Sequence, residues 1–470
     1  MNRSGLAKSG EFLRTLGPYS ASMIIVGTIT GTGIFIFVSN VGSLLVKPSL
    51  ILIAWATGGL IALSGSFCLA ELAAAYPKTG GIYIFLRNAF GTFVAFEYGW
   101  ANLLIMRVGS YSIQALAFAQ FTCDFFSWNA QKVQKPLAIG AIGLICGINM
   151  LGIKWGSIVQ NILTSVKIIS LLLIVCVGVA VSIGLLQNHS TEVAGNIIAM
   201  PDQSILVLFG LALVAIMWSF GGWEETTFIA EEIKNPEKNL PLSLIGGLMV
   251  CVILYLLINS AYLLILSPGE FANSEGYTAA LALEHVFGAW GRRLISLLLM
   301  VSTFVAVNAL ILTSARIAYA TGCDNAFFHW FAKNNSYTKT PVRGLFIQFI
   351  LGGVAIIILN NPYKLLMFTA FAYWLFSALI PISLYRLRQT EPHVNRPFLT
   401  WLYPISPFLF LLASVLMMIA VIHNDILNWR IQEKNIILNP PTSVMSMVIL
   451  ALGAIAFMFQ RFLKKNQNNK

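Results

Sequence analysis

The stretch Gly27-Thr28-Ile29-Thr30-Gly31-Thr32-Gly33-Ile34-Phe35 interrupts an apolar run of membrane-spanning length. Glycine and β-branched threonine both weaken a helix interior, so the stretch predicts a helix that breaks in mid-span. Trp218-Ser219-Phe220-Gly221-Gly222-Trp223-Glu224 does the same further along. The two breaks fall in the first and sixth apolar runs, the opening helices of two consecutive sets of five. Non-helical backbone at bilayer depth is tolerated only where it is buried in protein or lines a cavity. Corresponding breaks in two halves point to an inverted-repeat carrier with its site near the midplane. Close packing by small residues explains either stretch alone, but not their matching positions.

Outward from the breaks, the 470 residues are 57% hydrophobic and only 10% charged, far below the ~25% charged of a soluble domain. Apolar runs follow one another with short loops, and at ~20 residues per crossing the chain holds about twelve. They read as 18–42, 49–72, 93–126, 134–153, 156–186, 203–232, 240–266, 293–320, 343–360, 364–387, 399–423 and 441–463. Barrel strands would be half as long and alternating. The expected fold is therefore an all-α integral membrane protein of about twelve transmembrane helices, a 5+5 inverted repeat with helices 1 and 6 broken. Its parts would be an N-terminal segment 1–17, repeats at 18–186 and 203–387, two further helices within 399–463, and a tail 464–470. A short helical stretch is expected around 278–287 in the long loop after the seventh span.

The net charge of +11 suits nucleic acid on its face, but loop placement accounts for it. Arg14, Lys78, Arg87, Lys234, Lys238, Arg316, Lys333, Lys339, Arg343, Arg386, Arg388 and Arg396 all fall on the side of the N-terminus. That is the positive-inside bias, which places both termini in the cytoplasm. The polar N-terminal segment carries no cleavable signal. The cysteines are not paired at metal spacing. No span carries a nucleophile–base pair, and the five histidines fall mostly in loops, so neither an enzyme nor a metal or other cofactor is expected. No polar filter of a channel is visible.

The residues resemble a known family, the amino acid–polyamine–organocation transporters. The resemblance rests on Gly27 to Phe35, on Gly58 to Gly65 with Ala70 to Pro77 and Gly80-Gly81-Ile82-Tyr83, on Glu231 to Pro241, and on Ser314-Ala315-Arg316, Tyr319-Ala320, Asp324 and Thr340-Pro341. Within the family, Ile105-Met106-Arg107, Gly221-Gly222-Trp223, Ser302-Thr303-Phe304 and Asn308 resemble the L-type exchangers and their bacterial relatives. Glu224 departs from them and looks more like bacterial arginine–agmatine antiporters. The resemblance implies the five-plus-five (LeuT-like) fold and alternating-access transport of an amino acid, with a lysine standing where other carriers hold sodium.

A zwitterion in a bilayer needs both charges met, because unpaired charge out of water is prohibitive. The first turn after a helix break offers free amides to a carboxylate. Thr32, Gly33 and Ile34 supply them here, with the Thr32 hydroxyl as an extra donor and Gly31 and Gly33 allowing close approach. The carbonyls of Thr28, Ile29, Trp218, Ser219 and Gly221 are the candidate acceptors for the ammonium. Lys167, in mid-span, is a functional residue by default. Its ammonium is expected to touch a carbonyl near Gly27 and the hydroxyl of Ser302 or Thr303. Glu224 reads as a carboxylate satisfied by its neighbours, as a proton carrier, or as the partner of a cationic substrate. Arg107 divides between a structural role and lining the site. Phe220 and Trp223 read as gates over the solute or as core packing, with Phe371, Tyr373 and Trp374 as weaker gate candidates. Glu71 and Arg316, bordering loops, read as a solvated pair rather than an inner gate.

The expectation is sodium-independent exchange of a neutral amino acid. Proton symport, antiport of a cationic amino acid or polyamine, and a sensor without transport are the alternatives. The expected setting is a bacterial inner membrane, as a monomer or homodimer. The loop 127–133 carries no cysteine for a disulfide-linked accessory chain.

Overall fold

The structure, a computed structural model, describes residues 12–31, 33–188, 204–274, 278–324, 329–359, 362–432 and 441–468. Thr32 lies outside the described residues, as do residues 1–11 of the N-terminal segment. Among the described residues nine helices are long and apolar enough to cross a bilayer. Spans one, three and six are assembled from shorter pieces, which completes twelve. Large apolar side chains face outward along these helices, including Ile162, Ile169 and Leu173 on the fifth span, Ile350, Val354 and Ile357 on the ninth, and Leu409, Leu416 and Ile419 on the eleventh. Such a surface suits lipid and not water. The chain is a multi-pass, all-α membrane protein.

The first span runs Pro18–Ile29, breaks, and resumes as Gly33–Ile36 and Val38–Leu45. Phe37 between the last two keeps right-handed helical angles (φ −86, ψ −6), so they form one bent half-helix. The upstream half ends where the Thr28 and Thr30 hydroxyls turn back onto Ile24 O (2.7 Å) and Val26 O (2.5 Å). Such back-bonding competes with the backbone ladder and bends helices. The sixth span runs Ile205–Ser219, turns over 220–224, and continues as a 3-10 helix, Glu225–Glu232. Gly222 adopts φ +103 in that turn, a conformation that favours glycine.

The third span contains a feature the sequence did not announce. Between Thr92–Ala101 and Arg107–Phe126 a π-helical turn, Asn102–Met106, widens the helix immediately before Arg107. One extra residue in a turn shifts the facing of everything beyond it. The helix in the long loop after span seven is Thr278–Phe287, where expected. The last helix, Thr442–Asn468, continues into the stretch assigned as a tail.

The core lies between spans one, two, six, seven, eight and ten, with a second cluster where spans three, four, eight and nine meet. Spans three and eight pack together along their length, as do two and seven.

Candidate functional site

The two breaks face each other. A Cβ placed on Gly33 would lie 2.6 Å from Ser219 Cα, and one on Gly222 would lie 2.5 Å from Thr28 Cγ2. Between them is a small cavity of about 70 Å³ bordered by Thr28, Ile29 and Gly33 from span one and by Trp218, Ser219, Gly221, Gly222 and Glu224 from span six. Met106, Arg107, Ser110, Ile113 and Gln114 of span three, Leu310 of span eight and Tyr373 of span ten close it. Gln114 Oε1 is buried without a hydrogen-bond partner, which leaves an acceptor for a solute. Ile34 is buried but does not border the cavity, and Gly31 backs onto the Gln114 side chain.

Several of the candidate carbonyls are already engaged. The Tyr255 hydroxyl of span seven lies 2.7 Å from Ile29 O and 3.0 Å from Ser219 O. One phenolic proton thus serves the freed carbonyl ends of both upstream half-helices. Trp218 O accepts from Gly221 N at 3.0 Å. The Thr28 and Gly221 carbonyls are left as the candidates without a competing partner among these contacts. Tyr255 escapes sequence reasoning because a tyrosine in an apolar span looks like aromatic filler.

Lys167 is buried, and its Nζ donates to Gly27 O at 3.0 Å, the carbonyl expected for it. The hydroxyls differ from expectation. Ser302 Oγ donates to Thr30 O at 2.9 Å, bracing the break from the other side. Thr303 Oγ1 donates to Leu299 O and Met300 O of its own helix. A threonine in a helix finds its own preceding turn before it can reach a neighbour.

Phe220 and Trp223 do not border the cavity. Phe220 packs on Tyr255 and Trp55, with ring centroids 5.0 and 6.0 Å away, and Trp223 meets Phe410 of span eleven at 5.6 Å. Both rings are buried as core in this conformation. Tyr373, weaker among the gate candidates, is the one of them that does line the cavity.

The charged centre of the site is larger than the sequence suggested. Arg107 bonds Glu225 through Nη1 and meets Glu224 through Nη2 at 3.4 Å. Thr313 of span eight donates to the other oxygen of Glu225. The Tyr373 hydroxyl lies 3.5 Å from Glu224 Oε2. The guanidinium also sits 4.9 Å from the Phe228 ring centroid. Glu225 was not singled out from the sequence. The break displays Glu224 to the cavity and turns Glu225 inward.

At the end of the bundle where span one begins, polar contacts tie the spans together. Glu71 and Arg316 are both fully buried and have separate partners. Glu71 accepts from Arg388 Nε (2.8 Å) and Nη2 (2.6 Å) and from Thr400 N (2.7 Å). Arg316 Nε donates to Glu232 Oε1 at 2.9 Å. The expectation of a solvated pair fails because the end of another span supplies each with its own counter-ion, Arg388 in the last turn of span ten for Glu71 and Glu232 at the end of span six for Arg316. Lys234 N donates to Leu16 O and Leu16 N to Glu232 O, pairing the segment before span one with the end of span six. Asp324, just past span eight, is paired with Arg87 at 3.1 Å, and burial still pushes its carboxyl above the usual range.

Two helices broken in mid-span, facing one another across a small cavity lined by both breaks, define a membrane carrier of the discontinuous-helix class. The chain belongs to the amino acid permease family, whose profile matches residues 16–452. The b(0,+)-type amino acid transporter 1 of Homo sapiens is 30% identical over 420 residues, covering 88% of this chain and 84% of the relative. The serine/threonine exchanger SteT of Bacillus subtilis (strain 168) is 29% identical over 417 residues, covering 88% and 92%. The Asc-type amino acid transporter 1 of Mus musculus is 27% identical over 391 residues, covering 82% and 72%.

The contact across the breaks carries a direct prediction. Gly33→Ala forces a methyl into backbone at Ser219. Overpacking of this kind costs about 1–3 kcal/mol, and here the strain falls on the site itself. Solute exchange in vesicles is expected to drop roughly tenfold to a hundredfold on that energy scale, with a melting temperature within a few degrees of the parent. Wild-type exchange by this variant would show that the two breaks need not touch.

Proposed function

We propose that this protein exchanges small neutral amino acids across a bacterial inner membrane without sodium. The observation that carries the reading is the lining of the cavity between the breaks, which sets the backbone of two broken helices beside short polar side chains. The amides at Thr32 to Ile34 would take the carboxylate, and the carbonyls of Thr28 and Gly221 the ammonium. Gln114 and Ser110 border the same space and would meet a short polar side chain. The name of the B. subtilis relative, a serine/threonine exchanger, supports this substrate class.

Alternating access would come from residues 18–186 and 203–387 acting as two repeats, one bundle rocking against the other. The contacts at the terminal face, Glu71 with Arg388 and Arg316 with Glu232, would hold that side shut, and the positive-inside bias would make it the cytoplasmic side. Lys167 on Gly27 O would take the place of a sodium ion. With no cysteine in 127–133, the chain would work without a disulfide-linked accessory subunit. These roles describe a carrier, not an enzyme.

Vesicles reconstituted with the purified chain test the reading. Labelled L-serine or L-alanine is expected to accumulate when the lumen holds unlabelled amino acid, to the same extent in sodium and in potassium, and not in empty vesicles. Absence of uptake for all twenty amino acids would overturn it.

A further inference from the structure

We propose that an apolar groove on the lipid-facing side of the bundle holds one acyl chain of an anionic phospholipid, and that this lipid steadies the turn from which Arg107 reaches the solute cavity. The groove is separate from the cavity between the breaks, and its occupant comes from the membrane itself.

The groove encloses about 450 Å³. Its walls are Leu103 and Leu104 of span three, Trp330 and Phe331 of the short helix His329–Ala332, and Ile347 and Leu351 of span nine. Trp100 completes the wall with its indole nitrogen already engaged, since Nε1 donates to Ile449 O of span twelve at 2.9 Å. A cavity lined this way suits an apolar occupant and not water. The short helix is fixed in place, because a Cβ on Gly322 at the end of span eight would lie 2.7 Å from Ala332 N. The mouth faces the bilayer. Trp330 is 45% exposed, and Phe346 and Ile350, each next in sequence to a lining residue of span nine, are exposed as well.

The course of the groove matches a lipid chain. Ile347 and Leu351 follow Val342, the start of span nine, by about 8 and 14 Å at 1.5 Å per residue. The groove therefore begins at the loop after span eight and reaches near the middle of a ~30 Å hydrocarbon core. A chain hanging from a headgroup at that loop lies along it.

Charge selects the headgroup. Arg343, next to Val342, lies over the Trp330 ring at 5.0 Å and donates through Nη1 to Trp330 O at 2.8 Å. Lys333 directly follows the short helix and is exposed. Among the described residues neither cation has a carboxylate partner. A guanidinium carries five N–H donors in a fork that fits phosphate, and most of those on Arg343 remain free. Basic pockets between spans at this depth retain anionic lipids.

The π-turn supplies the coupling. Leu103 and Leu104 belong to the turn Asn102–Met106. Met106 ends that turn, Arg107 follows it, and both border the solute cavity. One widened turn thus meets the groove on one side and the cavity on the other. A π-turn departs from the regular helical ladder, so it depends on the packing around it. An acyl chain against Leu103 and Leu104 adds that packing on the outer side, while Arg107 meets Glu224 and Glu225 on the inner.

Lipid retention and exchange test the two halves of the proposal separately. The purified full-length chain, washed free of native lipid in detergent, is offered phosphatidylglycerol or phosphatidylcholine with identical chains. Bound lipid is counted by native mass spectrometry. One phosphatidylglycerol per chain is expected, with phosphatidylcholine needing about thirtyfold more, at about fivefold per cation. Lys333→Gln/Arg343→Gln is expected to erase that preference, and Ile347→Trp, which fills the groove, to lose both lipids. The two variants alter different parts of the groove, so either one that folds is sufficient. In vesicles, adding phosphatidylglycerol to phosphatidylcholine is expected to speed L-serine exchange by the wild type about fivefold or more, the low end of coupling between two sites, and to leave both variants unchanged. Equal retention of the two lipids would overturn the headgroup assignment. A full phosphatidylglycerol count in Ile347→Trp would place the lipid outside the groove and overturn the site. Exchange indifferent to phosphatidylglycerol, with the count intact, would overturn the coupling. Absence of exchange in every membrane would overturn the exchange reading instead, and lipid retention would still decide the groove.

Discussion

Lys167→Ala is expected to abolish amino acid exchange, by about two orders of magnitude or more, in a protein that still folds. Lys167 Nζ is held by Gly27 O at 3.0 Å, one turn before the break in span one. On the other side of that break Ser302 Oγ holds Thr30 O at 2.9 Å. These two donors, from spans five and eight, reach the last carbonyls of the upstream half-helix that have no helical partner of their own. Removing the lysine frees one of them inside the protein, where an unpaired acceptor costs about 1–3 kcal/mol. The helix end can recover by shifting towards another donor, and a shift of about 1 Å at a reacting or binding centre can cost a hundredfold in rate. The truncation also leaves a cavity, so Lys167→Met is the sharper test. Methionine keeps most of the volume and loses the ammonium. Both variants are expected to be inactive in vesicle exchange, with Met melting closer to the parent than Ala. Exchange by Lys167→Met at the wild-type rate would show that the side chain only fills space.

How far the sequence reveals such a site depends on whether a residue's role is set locally. The breaks are legible because Gly222 needs a positive φ and Thr28 and Thr30 bend their own helix, properties those residues carry by themselves. Lys167 is legible because one charge in an apolar helix has few innocent explanations. Glu225 is not legible. It sits beside Glu224 with the same chemistry, and only a 3-10 turn against span eight sends one to the cavity and the other to Thr313, 88 residues away. Tyr255 is hidden for the same reason, since its value lies in reaching Ile29 O and Ser219 O at once. The π-turn at Asn102–Met106 carries no glycine or proline to mark it. Phe220 and Trp223 show the converse. An aromatic beside a glycine break suggests a gate, but the sequence does not say which way the ring turns.

Arg107 is where these non-local contacts concentrate, and Arg107→Gln is expected to be the most damaging single change to stability. The guanidinium is the single cation paired with both Glu224 and Glu225 among the described residues, and it holds spans three and six together while lying against Phe228. Glutamine leaves two adjacent carboxylates with hydroxyl partners only. Breaking a buried ion pair by removing one partner costs about 3–5 kcal/mol. That is a large share of the ~5–15 kcal/mol that holds a folded protein together. The variant should elute largely as aggregate in size-exclusion chromatography and melt many degrees lower than the parent. The damage comes from stranded charge and not from lost volume, so removing a charge should reverse part of it. Arg107→Gln combined with Glu225→Gln is expected to recover a monodisperse peak and a melting temperature between the two, although neither change makes a new contact of its own. Glutamine at 225 can still accept from Thr313, whereas an Arg107→Gln/Thr313→Ala pair loses that support and should be no better than the single variant. A single Arg107→Gln that melts within two degrees of the parent would show that the two carboxylates do not depend on the guanidinium for their place in the fold.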